Sequence, residues 1–320
     1  MRVKRFLTIL ATAIPLLAAT GPASAATSGT PQVPAGITAG YVVFDRQTGK
    51  ITSNRYAHRK FRSASVVKIL IAIDYLEAHK SVSKSNLALL KTMLRVSDDN
   101  AATSFWNRGG QGKIIERTAR KLQLTDTAPP PAGWPGYWGY TSISALDITK
   151  TYRYLLDRAD PRVSGLILGH LREAEQCGAD GFDQFFGIPR GVRGPWAVKQ
   201  GWSGYGSTPP GRCRKTVFKS TSDTSAPAAS TAPAGLPAAP AATAAGRPAV
   251  PAVSPALFTA AATGPVPDYG HPVLHTTGLV GPKERWIMVL LTAHPSSTTW
   301  QRSTAQVTKL AREVYLNGTS

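Results

Sequence analysis

A run of hydrophobic residues extends from 66 to 76 and is interrupted near its start by Lys68. The pattern predicts a helix that begins at Ser65, ends near residue 79 and is buried nearly all round. Burial disfavours the charged form of a lysine, so Lys68 needs a partner or a use. Two interpretations stay open. Lys68 takes the proton of a Ser65 nucleophile one turn away, or Ser65 is an N-cap and Lys68 reaches solvent.

The rest of the chain alternates between strand-like and helix-like patterns. Strands are predicted at 37–45, 51–56, 196–202, 272–280 and 286–292. Helices are predicted at 86–94, 101–107, 113–122, 142–156, 163–175 and 298–316. A segment dense in Pro, Gly and aromatic residues, 125–141, is predicted to be a loop.

Two strands alone are marginally stable, so the first two strands must share a sheet with the last three. The order therefore predicts an α+β fold, in which a five-stranded antiparallel sheet is flanked by helices and joined to an all-helical domain. The sheet domain is expected at 26–60, 195–217 and 270–320, and the helical domain at 61–194. Residues 218–269 are almost entirely Ala, Pro, Ser, Thr and Gly, which predicts a disordered insertion.

The first 25 residues have the pattern of a signal peptide. Arg2, Lys4 and Arg5 precede an apolar stretch at 6–19, and Ala23-Ser24-Ala25 matches a cleavage site. The apolar stretch is short for a membrane span, and no later stretch is long and apolar enough to cross a membrane. We expect a secreted, extracytoplasmic protein with no transmembrane segment after cleavage and no lipid anchor. The alternative is that the segment is kept as an anchor.

Charge and cysteine content narrow the expected partners. The net charge is +19, and loss of the three basic residues near the N-terminus would leave +16. This favours anionic cell-envelope polymers, whereas nucleic acid is not expected because no binding motif is present.

The two cysteines, Cys177 and Cys213, predict one disulfide in an oxidising compartment, with two unpaired buried thiols as the alternative. The histidines lack metal-ligand spacing, so no metal or cofactor is expected, and the chain is expected to be monomeric.

Three short motifs follow one another along the chain. Ser65-Val66-Val67-Lys68 is an S-x-x-K match on the predicted buried helix, Ser97-Asp98-Asp99 lies at a turn between two helices, and Lys199-Gln200-Gly201 lies on a predicted strand. A second S-x-x-K match, from Ser81 to Lys84, lies in a polar stretch and is interpreted as coincidence. The three motifs in this order are much more specific than any one of them.

In these motifs the chain resembles the serine β-lactamase and penicillin-binding protein superfamily, and is most similar to its class A β-lactamase branch. The resemblance implies that Ser65 is the nucleophile and Lys68 its activating base. Ser97 would relay a proton to the leaving group, and Lys199 would hold Ser97 and a substrate carboxylate. The backbone N–H groups of Ser65 and Trp202 would form the oxyanion hole.

The chain departs from the family pattern at three places. Asp99 replaces the usual asparagine amide of the second motif, although the shifted register Asp98-Asp99-Asn100 would restore it at the cost of the serine. Gln200 replaces a threonine, so a hydroxyl contact to the substrate becomes an amide contact. The resemblance implies that Asp99, Gln200 and Gly201 are the substrate-binding positions. The 125–141 loop contains no glutamate to activate water, and Asp126 lies too early to replace it.

We therefore expect an exported active-site serine hydrolase that acts on β-lactams or related cell-wall peptides through a Ser65 acyl-enzyme, with slow deacylation. Two alternatives remain. One is a D,D-peptidase-like peptidoglycan hydrolase, and the other is a catalytically degenerate wall-binding or scaffold protein.

Overall fold

The computed structural model describes residues 29–216 and 270–320. The predicted signal peptide, 1–25, and the predicted insertion, 218–269, lie outside the described residues. The boundaries of the sheet and helical domains given above stay predictions.

Five antiparallel strands form the main sheet, as the sequence predicts. They are β1 (Thr38–Asp45), β2 (Lys50–Arg55), β5 (Trp196–Ser203), β6 (Val273–Val280) and β7 (Trp286–Ala293). Their order is β2-β1-β7-β6-β5, so β5 is an edge strand. Strand β1 pairs with β7 along its whole length, which joins the beginning and the end of the chain in one sheet. Two short strands, β3 (Phe61–Arg62) and β4 (Ser142–Ile143), pair with each other in a separate antiparallel sheet.

Helices cover both faces of the sheet. They are α1 (Lys68–Ala78), α2 (Lys84–Arg95), α3 (Asp99–Arg108), α4 (Gly112–Leu122), α5 (Ala145–Asp157), α6 (Pro161–Arg172), α7 (Ile188–Gly191) and α8 (Trp300–Thr319). Alternation along β1 divides the core into two clusters. Val42 and Phe44 pack in the cluster that contains α1, whereas Tyr41 and Val43 pack in the cluster that contains α8. The fold is therefore α+β, with the sheet between a large helical layer and the terminal helix.

Helix α1 lies at the centre of the larger cluster, and Lys68 is its first residue. The helix begins one turn later than predicted, because Ser65 belongs to a short 3₁₀ turn, Ala64–Val67. Neither the 3₁₀ turn nor α1 has a side-chain cap at its N-terminus, and the Lys68 side chain is fully buried. The interpretation of Ser65 as an N-cap and Lys68 as a solvent-reaching lysine is therefore wrong.

The helix predicted from residue 142 begins at Ala145 instead. Ser142 and Ile143 pair with β3, and the Ser144 side chain caps α5 by accepting a hydrogen bond from the Asp147 amide. A serine-rich start can supply either a strand end or a cap, and here it supplies both. The short helix α7 and two 3₁₀ turns, Trp138–Tyr140 and Pro282–Glu284, were not predicted.

The predicted disulfide between Cys177 and Cys213 is confirmed, with a Cα–Cα distance of 5.6 Å. It ties the segment that follows α6 to the segment that follows β5. Across residues 29–216 and 270–320, no helix has both the length and the apolar character needed to cross a membrane.

Candidate active site

The amine of Lys68 is held inside the protein by three acceptors. Its Nζ atom donates to the Ser97 carbonyl oxygen (2.6 Å), the Ser97 hydroxyl (3.2 Å) and the Asp99 carboxylate (2.7 Å). The ring of Trp138 covers it, with Nζ 4.7 Å from the ring centroid. A lysine ammonium has three N–H donors, so this environment satisfies the protonated form.

Two opposing effects act on the protonation of Lys68. Burial lowers the pKa of the Lys68 amine, and the charge and hydrogen bond of Asp99 oppose that effect. The Asp99 side chain is 66% exposed, so water screens its charge. The net direction is a lowered pKa, which makes the neutral amine easier to reach than it is for an ordinary lysine.

The hydroxyl of Ser97 lies between two lysines. It accepts hydrogen bonds from Lys68 Nζ and from Lys199 Nζ, the latter at 2.8 Å. Ser97 adopts a positive φ of 58° in the turn between α2 and α3, and only 5% of it is exposed. Asp98 caps α3 by accepting from the Ala101 amide at 2.7 Å, which leaves Asp99 as the first residue of the helix. The register Ser97-Asp98-Asp99 is therefore the one that directs a serine to the lysines.

The second lysine, Lys199, comes from the edge strand β5. Its Nζ atom also donates to the Gln200 carbonyl oxygen at 3.0 Å. Burial lowers the pKa of Lys199 well below its ordinary value, and the nearby charge of Lys68 lowers it further. Two buried amines thus share one serine hydroxyl, and each makes the protonated form of the other less stable.

Gly201 allows β5 to approach the turn that carries Ser65. A Cβ atom at this position would lie 3.0 Å from the Ser63 carbonyl oxygen and 3.2 Å from the Val66 amide nitrogen. Any larger residue would push the strand away from the turn. Ser65, which is 6% exposed, precedes Lys68 by three residues. The structure therefore brings the Ser65 turn, Lys68, Ser97 and Lys199 together.

Gln200 is the predicted site residue that the structure does not bring to the lysines. Successive side chains of a strand point to opposite faces. Lys199 reaches Ser97, whereas the Gln200 amide is buried and donates to the Phe186 carbonyl oxygen just before α7. The structure thus gives no support to the expected contact between the Gln200 amide and a substrate.

Asp180 is a charged residue near the lysines that the sequence motifs did not identify. Its carboxylate accepts hydrogen bonds from the Trp202 indole Nε1 (3.0 Å) and the Phe182 amide (3.1 Å). The residue is exposed, yet the surrounding protein desolvates the carboxylate enough to raise its pKa, and the Asp99 charge adds to that rise. A lone aspartate in a glycine-rich turn carries no sequence signal, so only its position in the fold identifies it.

The loop at 125–141 contributes an aromatic cover but no base for water. Trp138 covers Lys68 and is anchored by a 3.1 Å hydrogen bond from its indole to Thr103. The Asp126 carboxylate accepts from Ser144 (2.8 Å) and is paired with His58 (2.9 Å). Within the described ranges, no group of three His, Cys, Asp or Glu side chains has an arrangement that could hold a metal ion.

Several solved structures share this architecture. The structure of PBP-A aligns with a TM-score of 0.56 at 13% identity, covering 89% of this chain and 91% of that one. This protein has the serine β-lactamase and penicillin-binding protein fold. A class A β-lactamase from Mycobacterium abscessus aligns with a TM-score of 0.53 at 15% identity, over 88% of this chain and 93% of that one. A β-lactamase from Streptomyces albus G gives 0.51 at 16%, over 87% and 92%.

Sequence comparison finds curated relatives but no matching family model. The relatives are named "Putative lipoprotein LppW", from Mycobacterium tuberculosis and Mycobacterium bovis, and are 37% identical over 175 residues. The match covers 52% of this chain and 54% of the relative. The chain thus spans about half the length of the curated relatives it matches. The fold expected from the sequence is confirmed by these solved structures.

Proposed function

We propose that this protein is an exported active-site serine enzyme that transfers acyl groups through an ester on Ser65. The observation that carries the proposal is the hydroxyl of Ser97, which accepts hydrogen bonds from both Lys68 and Lys199 beside the Ser65 turn. These hydrogen bonds form a path for a proton from Lys68, the base next to Ser65, through Ser97 to the leaving group.

In the proposed reaction, neutral Lys68 removes the proton of Ser65 as its Oγ attacks the acyl carbon. The resulting oxyanion is stabilised by the backbone N–H groups of Ser65 and Trp202. When the tetrahedral intermediate collapses, the bond to the leaving group breaks. Lys68 then returns the proton through Ser97 to the leaving atom, so that Lys68 ends neutral and Ser65 carries the acyl group. Lys199 keeps Ser97 oriented and stabilises negative charge as it develops.

The substrate class that fits this chemistry is β-lactams or related cell-wall peptides. Export is supported by the Cys177–Cys213 disulfide and by the lipoprotein name of the relatives. The positive charge of the chain would favour contact with anionic envelope polymers. Deacylation should be slow, because the Asp126 carboxylate is occupied by His58 and Ser144 and the loop has no glutamate.

Two further functions have specific support. The absence of a glutamate from the 125–141 loop favours a D,D-peptidase-like peptidoglycan hydrolase. Such an enzyme must be acylated by its substrate but need not hydrolyse a β-lactam rapidly. The Lys68–Asp99 ion pair favours a catalytically degenerate wall-binding or scaffold protein, because it stabilises the protonated amine, which cannot act as a base.

Mass spectrometry of the whole protein separates these functions. The protein is incubated with benzylpenicillin and, separately, with an uncharged thioester acyl donor. We expect one added acyl group in the wild type and none in Ser65→Ala. The matched control is Ser81→Ala, which alters the exposed serine of the second S-x-x-K match and should label normally. Rapid turnover of penicillin would favour a β-lactamase, and labelling by neither donor would overturn the enzymatic proposal.

A further inference from the structure

The charges around the two buried lysines are balanced by two carboxylates. Lys68 is paired with Asp99 at 2.7 Å. Burial is the main cause of the lowered pKa of both Lys68 and Lys199, and the charge of Asp180 opposes it at each of them. Asp180 lies beside the site in the fold, because the amide of the preceding residue, Ala179, donates to the carbonyl oxygen of Val96, next to Ser97, at 2.7 Å. The site thus contains two buried amines and two carboxylates.

The Asp180 carboxylate is fixed in place and still has free acceptor capacity. Hydrogen bonds from the Trp202 indole and the Phe182 amide each use one of its oxygens. A carboxylate offers about four lone-pair sites, so about two remain for another donor. The residue is exposed, and a Cβ on neighbouring Gly178 would lie 2.7 Å from Asp180 Oδ1, which shows how closely the turn holds it.

Trp202 connects Asp180 to the reaction centre. Its backbone N–H is the proposed oxyanion donor, and its indole N–H binds Asp180. Lys199, three residues earlier on the same strand, holds the Ser97 hydroxyl from which a leaving group would be protonated. Asp180 thus adds negative charge to the leaving-group side of the site, where the family resemblance leads one to expect a substrate carboxylate held by Lys199.

We propose that Asp180 is a specificity-determining residue that selects acyl donors by the charge of their leaving group. A leaving group with an ammonium or an uncharged amide is favoured, because the carboxylate of Asp180 accepts its N–H groups. One with a carboxylate is disfavoured by repulsion. The substrate class is then a peptide whose leaving portion carries an amine or an amide near the bond that breaks. This inference rests on the proposed function.

The test uses three thioesters with the same acyl group and leaving thiols that differ only in bearing an ammonium, a carboxamide or a carboxylate. The full-length wild type, Asp180→Asn and Asp157→Asn are compared. Asp157 is an exposed aspartate at the end of α5, paired with Arg153 at 3.8 Å, and serves as the matched control. The readout is the ratio of kcat/KM for the ammonium thioester to kcat/KM for the carboxylate thioester. This ratio does not depend on how much of a variant is folded.

We expect the ratio to exceed 1 in the wild type and in Asp157→Asn. It should fall about fivefold to tenfold in Asp180→Asn, as expected for the loss of one unit charge a few ångströms beyond contact. The wild-type ratio should also fall as salt is raised. An unchanged ratio in an active Asp180→Asn enzyme would overturn this inference and leave the proposed function intact. No Ser65-dependent reaction with any of the three thioesters would overturn the proposed function itself.

Discussion

The charge of Asp99 should slow the first chemical step at neutral pH, and Asp99→Asn tests this directly. Asp99 Oδ1 lies 2.7 Å from the Lys68 amine and favours its protonated form. At this distance, two unit charges attract by about 1.5 kcal/mol even with the dielectric of water, which is the appropriate lower limit for a side chain as exposed as Asp99. Asparagine keeps an oxygen that can accept from Lys68 but removes the charge.

This energy corresponds to about a tenfold change in the ratio of neutral to protonated Lys68. The sign follows from the cause. Asp99 opposes the lowering of the Lys68 pKa by burial, so its neutralisation lowers that pKa further. More of the amine is then available as a base at a given pH. Acylation of Ser65 should become about tenfold faster on the acidic limb of the pH–rate profile, and this limb should move to lower pH.

The assay is the pre-steady-state rate of acylation by an uncharged thioester between pH 5 and pH 9. An uncharged donor excludes effects of Asp99 on substrate binding through charge. Asp98→Asn alters the adjacent acidic residue, which accepts from Ala101 and makes no hydrogen bond to Lys68. The charge of Asp98 also opposes the lowering of the Lys68 pKa, but less than that of Asp99, so the limb should move clearly less than in Asp99→Asn. An acidic limb that stays in place or moves to higher pH in Asp99→Asn would refute a role of Lys68 as the base.

Three further predictions concern stability. Replacing both Cys177 and Cys213 by serine should lower the free energy of unfolding by about 4 kcal/mol in urea, from the entropy of a loop with a sequence separation of 36; a loss below about 1 kcal/mol would contradict this. Asp98→Ala removes the cap of α3 and should cost about 1 kcal/mol, whereas Asp157→Ala, at an exposed position, should cost clearly less by the same measurement. Burial lowers the pKa of His275 and His294 to about 4 from an ordinary 6.5. The unfolded chain therefore binds protons at a higher pH than the folded protein. The free energy of unfolding should fall as pH drops from 6.5 to 4, by up to about 1.4 kcal/mol per pH unit for each histidine. A free energy of unfolding that does not change over this range would refute their burial in the neutral form.

The strands and most helices could be predicted because their burial follows a simple period. In β1, Val42 and Phe44 pack in the cluster around α1, and Tyr41 and Val43 pack in the cluster around α8. Because both faces of the strand are buried, its central residues are apolar at consecutive positions. The helix around Lys68 was predicted for the same reason. The start of α1 was misplaced by one turn, because apolar periodicity does not distinguish a 3₁₀ turn from the first turn of an α-helix.

The convergence of Lys68, Ser97 and Lys199 could be predicted only by combining motifs with a family resemblance. No single motif was sufficient, as the unrelated S-x-x-K match at Ser81 shows. The direction of the Gln200 side chain was missed, although the alternation of side chains along a strand predicts it. The residue next to Lys199 must point to the opposite face of the sheet.

Asp180 could not be predicted, because its role depends on contacts across the chain rather than on its neighbours in sequence. Its partner Trp202 lies on another element, and the lysines whose charge it offsets come from α1 and β5. The covering of Lys68 by Trp138 was missed for a related reason. The segment 125–141 was predicted to be a loop, and its composition alone does not indicate which side chain its rings cover.

Locating the acyl group after reaction with benzylpenicillin or the thioester identifies the nucleophile directly. Trypsin is expected to release residues 63–68, since Arg62 and Lys68 bound them, and fragmentation of this peptide distinguishes Ser63 from Ser65. We expect one acyl group on Ser65 that is absent from Ser65→Ala and persists after the donor is removed by rapid gel filtration. An unmodified peptide under conditions that consume the donor, or an acyl group on Ser63, would contradict it.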